Sequence, residues 1–272
     1  MAEFDIQNFH FIHEGNRGQS AAPLILIHDG GGTAFNYHLL GDLGRDVYAI
    51  SNPHFDDGQA WKNGFPEMAA CYGDMIRRNV GKGRMILGGW SLGGMTALEL
   101  AWQLKNEPDY DVLGIVMLDS PFPGFYKTPP DGIRAEDLDI FPASVKPAIQ
   151  AKVKQCLINA REMIVSWTLP DWTNKPGRDD VGATVGRDAS DKLHAVFLHA
   201  KQSFPTPTAG QVAEVDVARQ DETLGWIAYP FLEFISVRQV EGHHFNVFAP
   251  HFLERLTQTI RESCLDIEKS FV

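Results

Sequence analysis

Residues 89–93 (GWSLG) place a serine between two glycines, at the spacing that a nucleophilic serine requires. The apolar run 84–88 before them predicts a strand, and residues 94–104 after them predict a helix. A sharp turn from strand to helix strains the serine backbone and exposes its hydroxyl, and glycines on either side avoid collisions across the turn. The sequence therefore predicts that Ser91 is a nucleophile.

A serine hydroxyl at its ordinary pKa is a poor nucleophile, so it needs a histidine as base. The chain after Ser91 contains five histidines, which are His194, His199, His243, His244 and His251. His243 and His244 directly follow the last predicted strand, in the loop before the C-terminal helix, and are the candidates for the base. His194 and His199 fall in or beside a predicted strand, which favours a core or surface role. No Cys, Asp or Glu lies near the His-His pair at the spacing of metal ligands, so we predict no metal site.

The base also needs an acid to orient it, and two places along the chain offer one. Asp119 directly follows the predicted strand 112–118. After the next strand, 194–200, the first acids are Glu214 and Asp216, some distance along the chain. We therefore favour Asp119 as the acid. The alternative interpretation is that Asp119 is a turn residue, because Asp, Ser and Pro are all favoured in turns.

Acyl transfer further requires two backbone N–H groups that hold a developing oxyanion. The N–H of Leu92, directly after Ser91, is the first candidate. The second should come from the glycine-rich turn 28–32 (HDGGG), where we prefer Gly30 and place Gly31 second. The segment 30–35 lacks the last glycine of G-x-G-x-x-G and no acid ends the following strand, which argues against a dinucleotide site.

Short apolar strands alternate with helical patterns along most of the chain. Strands are predicted at 23–27, 46–51, 84–88, 112–118, 194–200 and 234–240, and helices at 33–43, 66–80, 94–104 and 250–267. This alternation indicates a mostly parallel central sheet with helices on both faces. Together with the nucleophile motif it predicts an α/β-hydrolase fold, in one domain over residues 1–272.

Residues 122–191 interrupt the alternation and are predicted to form a lid insertion. Residues 121–139 are rich in Pro, Gly and Asp and read as a loop. Residues 143–167 carry apolar positions at helical spacing, which predicts one long amphipathic helix or two short ones. Residues 170–191 contain few apolar positions, and we expect this stretch to be mobile.

Composition limits the partners and the compartment. The chain holds 24 Lys and Arg against 35 Asp and Glu, a net charge of −11, and this acidity argues against nucleic acid. The three cysteines, Cys71, Cys156 and Cys264, are far apart and odd in number, which fits reduced thiols. No apolar run reaches membrane-spanning length and the N-terminus is not a signal peptide, so we expect a cytoplasmic protein.

Four segments, PLILIHDGGGT, GWSLGG, VMLDSPFPG and VEGHHFNVF, carry a family resemblance. In this order and spacing they resemble the thioesterase domains that release products from polyketide synthases and nonribosomal peptide synthetases, and fungal members in particular. The resemblance implies that the acid is Asp119, and its G-x-H-F pattern places the histidine at His244. Many members carry a proline in the turn that here reads HDGGGT.

The same resemblance implies a substrate and a mechanism. An acyl or peptidyl carrier protein would present a small-molecule acyl chain on its phosphopantetheine arm, and no separate cofactor would be needed. The acyl chain would be transferred to Ser91 and then released by hydrolysis or cyclisation. We expect the protein to be a free-standing enzyme or an excised terminal domain. Two alternatives remain open, a serine hydrolase of the carboxylesterase or lipase kind and a non-catalytic α/β-hydrolase relative.

Overall fold

The computed structural model describes residues 7–15, 21–127, 132–173 and 192–271. Within them, seven strands form one sheet in the order β1-β3-β2-β4-β5-β7-β9, and two short strands, β6 and β8, pair in parallel beside it. In chain order the strands are β1 (Phe9–His13), β2 (Leu24–Ile27), β3 (Val47–Ile50), β4 (Gly83–Trp90), β5 (Tyr110–Leu118), β6 (Gly132–Ile133), β7 (Leu193–Gln202), β8 (Val212–Ala213) and β9 (Leu232–His243). The edge strand β1 is antiparallel to β3, and every other pairing in the large sheet is parallel.

Helices cover both faces of this sheet. They are α1 (Phe65–Asn79), α2 (Leu92–Leu104), the short α3 (Gly124–Lys127), α4 (Pro147–Ser166) and α5 (Leu253–Lys269). Proline lies in the first turn of both α1 and α4. N–H groups in the first turn have no partner within the helix, so the missing N–H of proline costs no hydrogen bond there. In the described part of the chain, no helix is both long enough and apolar enough to cross a membrane.

The alternation of side chains along β5 explains why the sheet needs helices on both faces. Ile115 and Met117 join the core under α1 and α2, while Val116 and Leu118 join the core under α5. All four are at most 3% exposed, so the strand is apolar on both sides. The mostly parallel sheet and its two helical layers agree with the predicted architecture.

The predicted helix 33–43 is wrong. The structure has a short 3-10 helix at Phe35–Leu39, after which Leu40 adopts extended backbone. A tertiary contact overrides the helical pattern, because the Tyr37 hydroxyl donates to the carbonyl of Ile27 at 2.7 Å and accepts from the N–H of Trp90 at 2.9 Å. These bonds tie the turn to the ends of β2 and β4.

The region predicted as a lid is described only in part, because residues 128–131 and 174–191 lie outside the described residues. Most of the stretch that we expected to be mobile falls there. Within the predicted stretch 143–167 the structure has one helix, α4 (Pro147–Ser166), and the stretch predicted as a loop contains α3, β6 and a 3-10 helix at Ala135–Asp137.

Helix α4 packs directly against the glycine-rich turn after β2. A Cβ added to Gly30 would lie 3.1 Å from Leu157, and one added to Gly32 would lie 3.0 Å from the Cys156 sulfur. Both neighbours belong to α4. The glycines therefore allow the helix to approach the turn this closely.

Candidate active site

Ser91 lies between β4 and α2 with φ 57° and ψ −118°, a backbone conformation that L-residues seldom adopt. Its N–H donates to the carbonyl of Leu118 at 2.9 Å, which fixes the turn to the end of β5. A Cβ added to Gly89 would lie 2.5 Å from the carbonyl oxygen of Ile27, so only glycine fits before the serine. The motif thus forms the strained strand-to-helix turn that the spacing predicts.

Asp119 directly follows β5 and also has a positive φ, 46°. Its N–H donates to the carbonyl of Leu198 in β7 at 2.7 Å. The side chain is fully buried. This backbone turn places Asp119 at the carboxyl end of β5, beside the carboxyl end of β4 where Ser91 lies.

His244 connects these two residues. Its Nε2 lies 3.1 Å from the Ser91 Oγ, and its Nδ1 lies 2.8 Å from the Asp119 Oδ2. The imidazole is 2% exposed and packs against the Trp90 ring, at 5.6 Å between centroids. The structure therefore brings together the three residues predicted from the sequence in one hydrogen-bonded chain.

The neighbouring His243 has a different environment. At the end of β9, Gly242 has φ 91°, and the N–H of His243, the last residue of the strand, donates to the Asn246 Oδ1 at 2.7 Å. The His243 ring stacks edge-on against Phe204, with 5.1 Å between centroids. Burial lowers the pKa of His243, which favours the neutral ring there.

Sequence reasoning missed a buried arginine beside the acid. Arg219 donates from both terminal nitrogens to the two carboxylate oxygens of Asp119, at 2.9 Å for the Nη2–Oδ2 pair. The N–H of Ala200 also donates to the Asp119 Oδ1, at 2.8 Å. Burial alone would raise the pKa of Asp119, but the hydrogen bonds from His244 and Arg219 hold it well below its usual value. The acid therefore stays ionised.

Asp216, one of the alternative acids, lies behind Arg219. It accepts from the Arg219 Nε at 2.9 Å and from Nη2 at 2.6 Å, and its other oxygen accepts from the N–H of Phe204 at 2.6 Å. The Arg219 backbone is held as well, because its carbonyl lies 3.1 Å from His199 Nε2. The three charges of Asp119, Arg219 and Asp216 sum to −1, the charge of one ionised acid. A spacing of three residues between Asp216 and Arg219 was the only signal of this pair in the sequence.

A cleft opens beside Ser91 and His244 and takes up about 460 Å³, counting the part open to solvent. Gly30 and Leu92 line it next to the serine. Gly31 lies instead against the Asp29 carboxylate, since a Cβ there would be 3.3 Å from both oxygens. Within the described ranges, no group of three His, Cys, Asp or Glu side chains could hold a metal ion.

Solved structures share this fold. The NocB thioesterase domain from the nocardicin cluster superposes with a TM-score of 0.64 at 23% identity, covering 94% of this chain and 98% of that one. A thioesterase from the prodiginine pathway of Streptomyces coelicolor gives 0.63 at 14% identity, over 92% and 93% of the two chains. A four-domain nonribosomal peptide synthetase gives 0.61 at 18% identity, with 93% of this chain matching 20% of the longer one. The chain has the α/β-hydrolase fold.

Sequence comparisons identify the family. The model of the thioesterase domain matches residues 22–170. A probable thioesterase of Botryotinia fuckeliana is 36% identical over 91% of this chain and 86% of its own length. A thioesterase of Dothideomycetidae sp. is 34% identical over 92% of both chains. The chain therefore belongs to the thioesterase family, a family of hydrolases.

Proposed function

We propose that this protein is a serine thioesterase that releases an acyl or peptidyl chain from the phosphopantetheine arm of a carrier protein. The hydrogen-bonded chain from Ser91 through His244 to Asp119 carries the proposal. The thioesterase relatives and the solved neighbours named above support an acyl or peptidyl substrate that is made by a biosynthetic enzyme. Asp119 is the acid, His244 the base and Ser91 the nucleophile.

In the acylation step, His244 Nε2 takes the hydroxyl proton while the Ser91 Oγ forms a bond to the thioester carbonyl carbon. The negative charge that develops on the carbonyl oxygen is held by the N–H groups of Leu92 and Gly30. The carbon–sulfur bond then breaks, and His244 returns the proton to the departing thiolate. The acyl chain is left on Ser91 as an ester.

The second step reverses these roles. Water, or a hydroxyl or amine of the acyl chain itself, gives its proton to His244 and attacks the ester carbon. The bond between that carbon and the Ser91 Oγ then breaks, and His244 returns the proton to the serine oxygen. Water yields a free acid, and an internal nucleophile yields a ring. Neither step calls for a separate cofactor. We also propose a cytoplasmic location for this chemistry, which the odd number and wide sequence spacing of Cys71, Cys156 and Cys264 support.

Mass spectrometry of the protein with a short acyl-pantetheine thioester tests the proposal. We expect an acyl adduct on Ser91 and released acid or ring, and neither product with Ser91→Ala. A matched oxygen ester distinguishes the carboxylesterase alternative, which requires the ester to be the faster substrate. Failure of Ser91 to form an adduct with either substrate, or with a small fluorophosphonate, would overturn the mechanism.

A further inference from the structure

The end of the cleft formed by the lid region contains polar side chains that the proposed mechanism does not use. Tyr126 of α3, Arg161 of α4 and Glu214 of the 3-10 helix Glu214–Asp216 line the same cleft as Ser91. The neighbouring lining is apolar and includes Leu157 and Ile164. A purely aliphatic acyl chain has no use for these polar groups.

Two of these groups form a buried ion pair. The Arg161 Nε lies 3.0 Å from the Glu214 Oε1 and 3.1 Å from Oε2, and Nη2 lies 2.9 Å from Oε1. The Glu214 side chain is 3% exposed and that of Arg161 is 21% exposed. A pair this buried loses hydration and contributes little to stability unless its remaining hydrogens find partners. In the described ranges no hydrogen bond engages the Arg161 Nη1.

The third group is the Tyr126 hydroxyl. Tyr126 is 6% exposed, and among the described residues its hydroxyl makes no hydrogen bond. Tyrosine hydroxyls in largely buried surroundings usually find a hydrogen-bond partner. Because Tyr126 lines the cleft, a ligand can serve as that partner. Burial raises the pKa of Tyr126, so the hydroxyl keeps its proton and can donate.

The charges decide which ligand group fits. Arg161 and Glu214 cancel, and Glu136 and Asp29, which also line the cleft, leave a net charge of −2 when both are ionised. An anionic group would be repelled, whereas a neutral oxygen can accept from both the Tyr126 hydroxyl and the free guanidinium nitrogen.

We propose that Tyr126 and Arg161, with Glu214 as support, form a subsite that binds a neutral acceptor oxygen of the acyl chain, a carbonyl or hydroxyl beyond the thioester. The subsite selects oxygenated chains over plain aliphatic ones. Glu214 holds the guanidinium in place, and Tyr126 supplies the second hydrogen bond. This inference rests on the proposed function, because it assigns the acyl side of the same cleft.

The test compares octanoyl-pantetheine with analogues that carry one ketone oxygen near the thioester, midway, or at the far end. We expect one analogue to exceed octanoyl by at least about twenty-five-fold in kcat/KM, since each of the two hydrogen bonds to the substrate contributes a factor of about five to ten. Tyr126→Phe should lower this ratio about fivefold. Arg161→Gln combined with Glu214→Gln, which leaves no unpaired charge, should lower it at least as much.

Tyr110→Phe is the matched control, since this half-buried tyrosine lies at the start of β5 and does not line the cleft; its ratio should equal that of the wild type. Equal kcat/KM values for all analogues with the wild type would overturn the subsite, as would an unchanged ratio in both variants. A preference for an ammonium-bearing chain would also overturn it and assign the pocket to a cation. If no thioester is cleaved and Ser91 takes no fluorophosphonate, the proposed function fails instead.

Discussion

Arg219 and His244 bind the same carboxylate oxygen of Asp119. The Asp119 Oδ2 accepts from the Arg219 Nη2 at 2.9 Å and from the His244 Nδ1 at 2.8 Å, so one oxygen serves both groups. The carboxylate cannot rotate without losing both bonds. The orientation of the base is thereby linked to an arginine that lies outside the three-residue chain.

Arg219→Met should lower kcat by about tenfold to a hundredfold, because a small misplacement of the acid displaces His244. Without Arg219, burial dominates the Asp119 pKa, which rises. The acid limb of kcat/KM should therefore move to higher pH, and Arg219→Lys should restore part of the shift. Measurement of kcat/KM against pH checks this.

Arg238→Met provides the control, since Arg238 pairs with Glu262 and Asp266 of α5, away from the cleft. It should lose stability without any change in the pH profile. An Arg219→Met enzyme whose profile matches the wild type would show that the arginine is only structural.

Asp119→Asn and Asp216→Asn distinguish the two acids. Asp119→Asn should lower kcat by about a thousandfold to ten-thousandfold, because the amide favours the wrong imidazole tautomer. Asp216→Asn changes the summed charge of the buried group from −1 to 0, which weakens stabilisation of the imidazolium, and should cost about tenfold. Steady-state measurement of kcat for both variants tests this assignment. A larger loss of kcat in Asp216→Asn than in Asp119→Asn would make Asp216 the acid.

Ser91→Gly should stabilise the fold while it abolishes turnover. Glycine adopts the positive φ of this position at little cost, so the free energy of unfolding should rise by about 1 kcal/mol and Tm by about 2 °C. Ser91→Ala removes the hydroxyl but keeps the strain, and serves as the matched control. Both should lose at least about a thousandfold in kcat. Thermal unfolding of the pair measures the strain, and equal Tm values would show that it is negligible.

Asp29→Asn should stabilise the protein above about pH 6. Burial raises the pKa of this cleft-lining carboxyl from 3.8 to about 6, so the folded state binds the proton more tightly than the unfolded chain. The wild type therefore loses stability as pH rises from about 4 to about 6. At pH 7 the variant should be about 1–2 kcal/mol more stable, a value reduced for partial contact with solvent. Urea unfolding at several pH values tests this, and a difference independent of pH contradicts the raised pKa.

Local patterns predicted the parts of the site that depend on one strand end. Ser91 follows from the glycine spacing around it and Asp119 from its place after β5. The place after the last strand gave both His243 and His244, and only the family pattern G-x-H-F selected His244. Arg219 was missed because its role needs a contact across one hundred residues, and no local pattern encodes that partner. The helix predicted at 33–43 failed for the same reason, since the hydroxyl of Tyr37 bonds to two distant strands.

If the proposed function holds, the close packing of α4 on the glycine turn links recognition of the acyl chain to catalysis. Leu157 of α4 lines the cleft and lies 3.1 Å from the position that a Cβ on Gly30, the proposed oxyanion donor, would occupy. An acyl chain that pushes α4 outward must also change the contact between α4 and the glycine turn. Because coupling between two sites is reciprocal, an oxyanion bound at the turn favours the position in which α4 packs against it. The shape of the acyl chain should then affect kcat as well as affinity. Mutations along the buried face of α4 should therefore alter kcat although they lie away from Ser91.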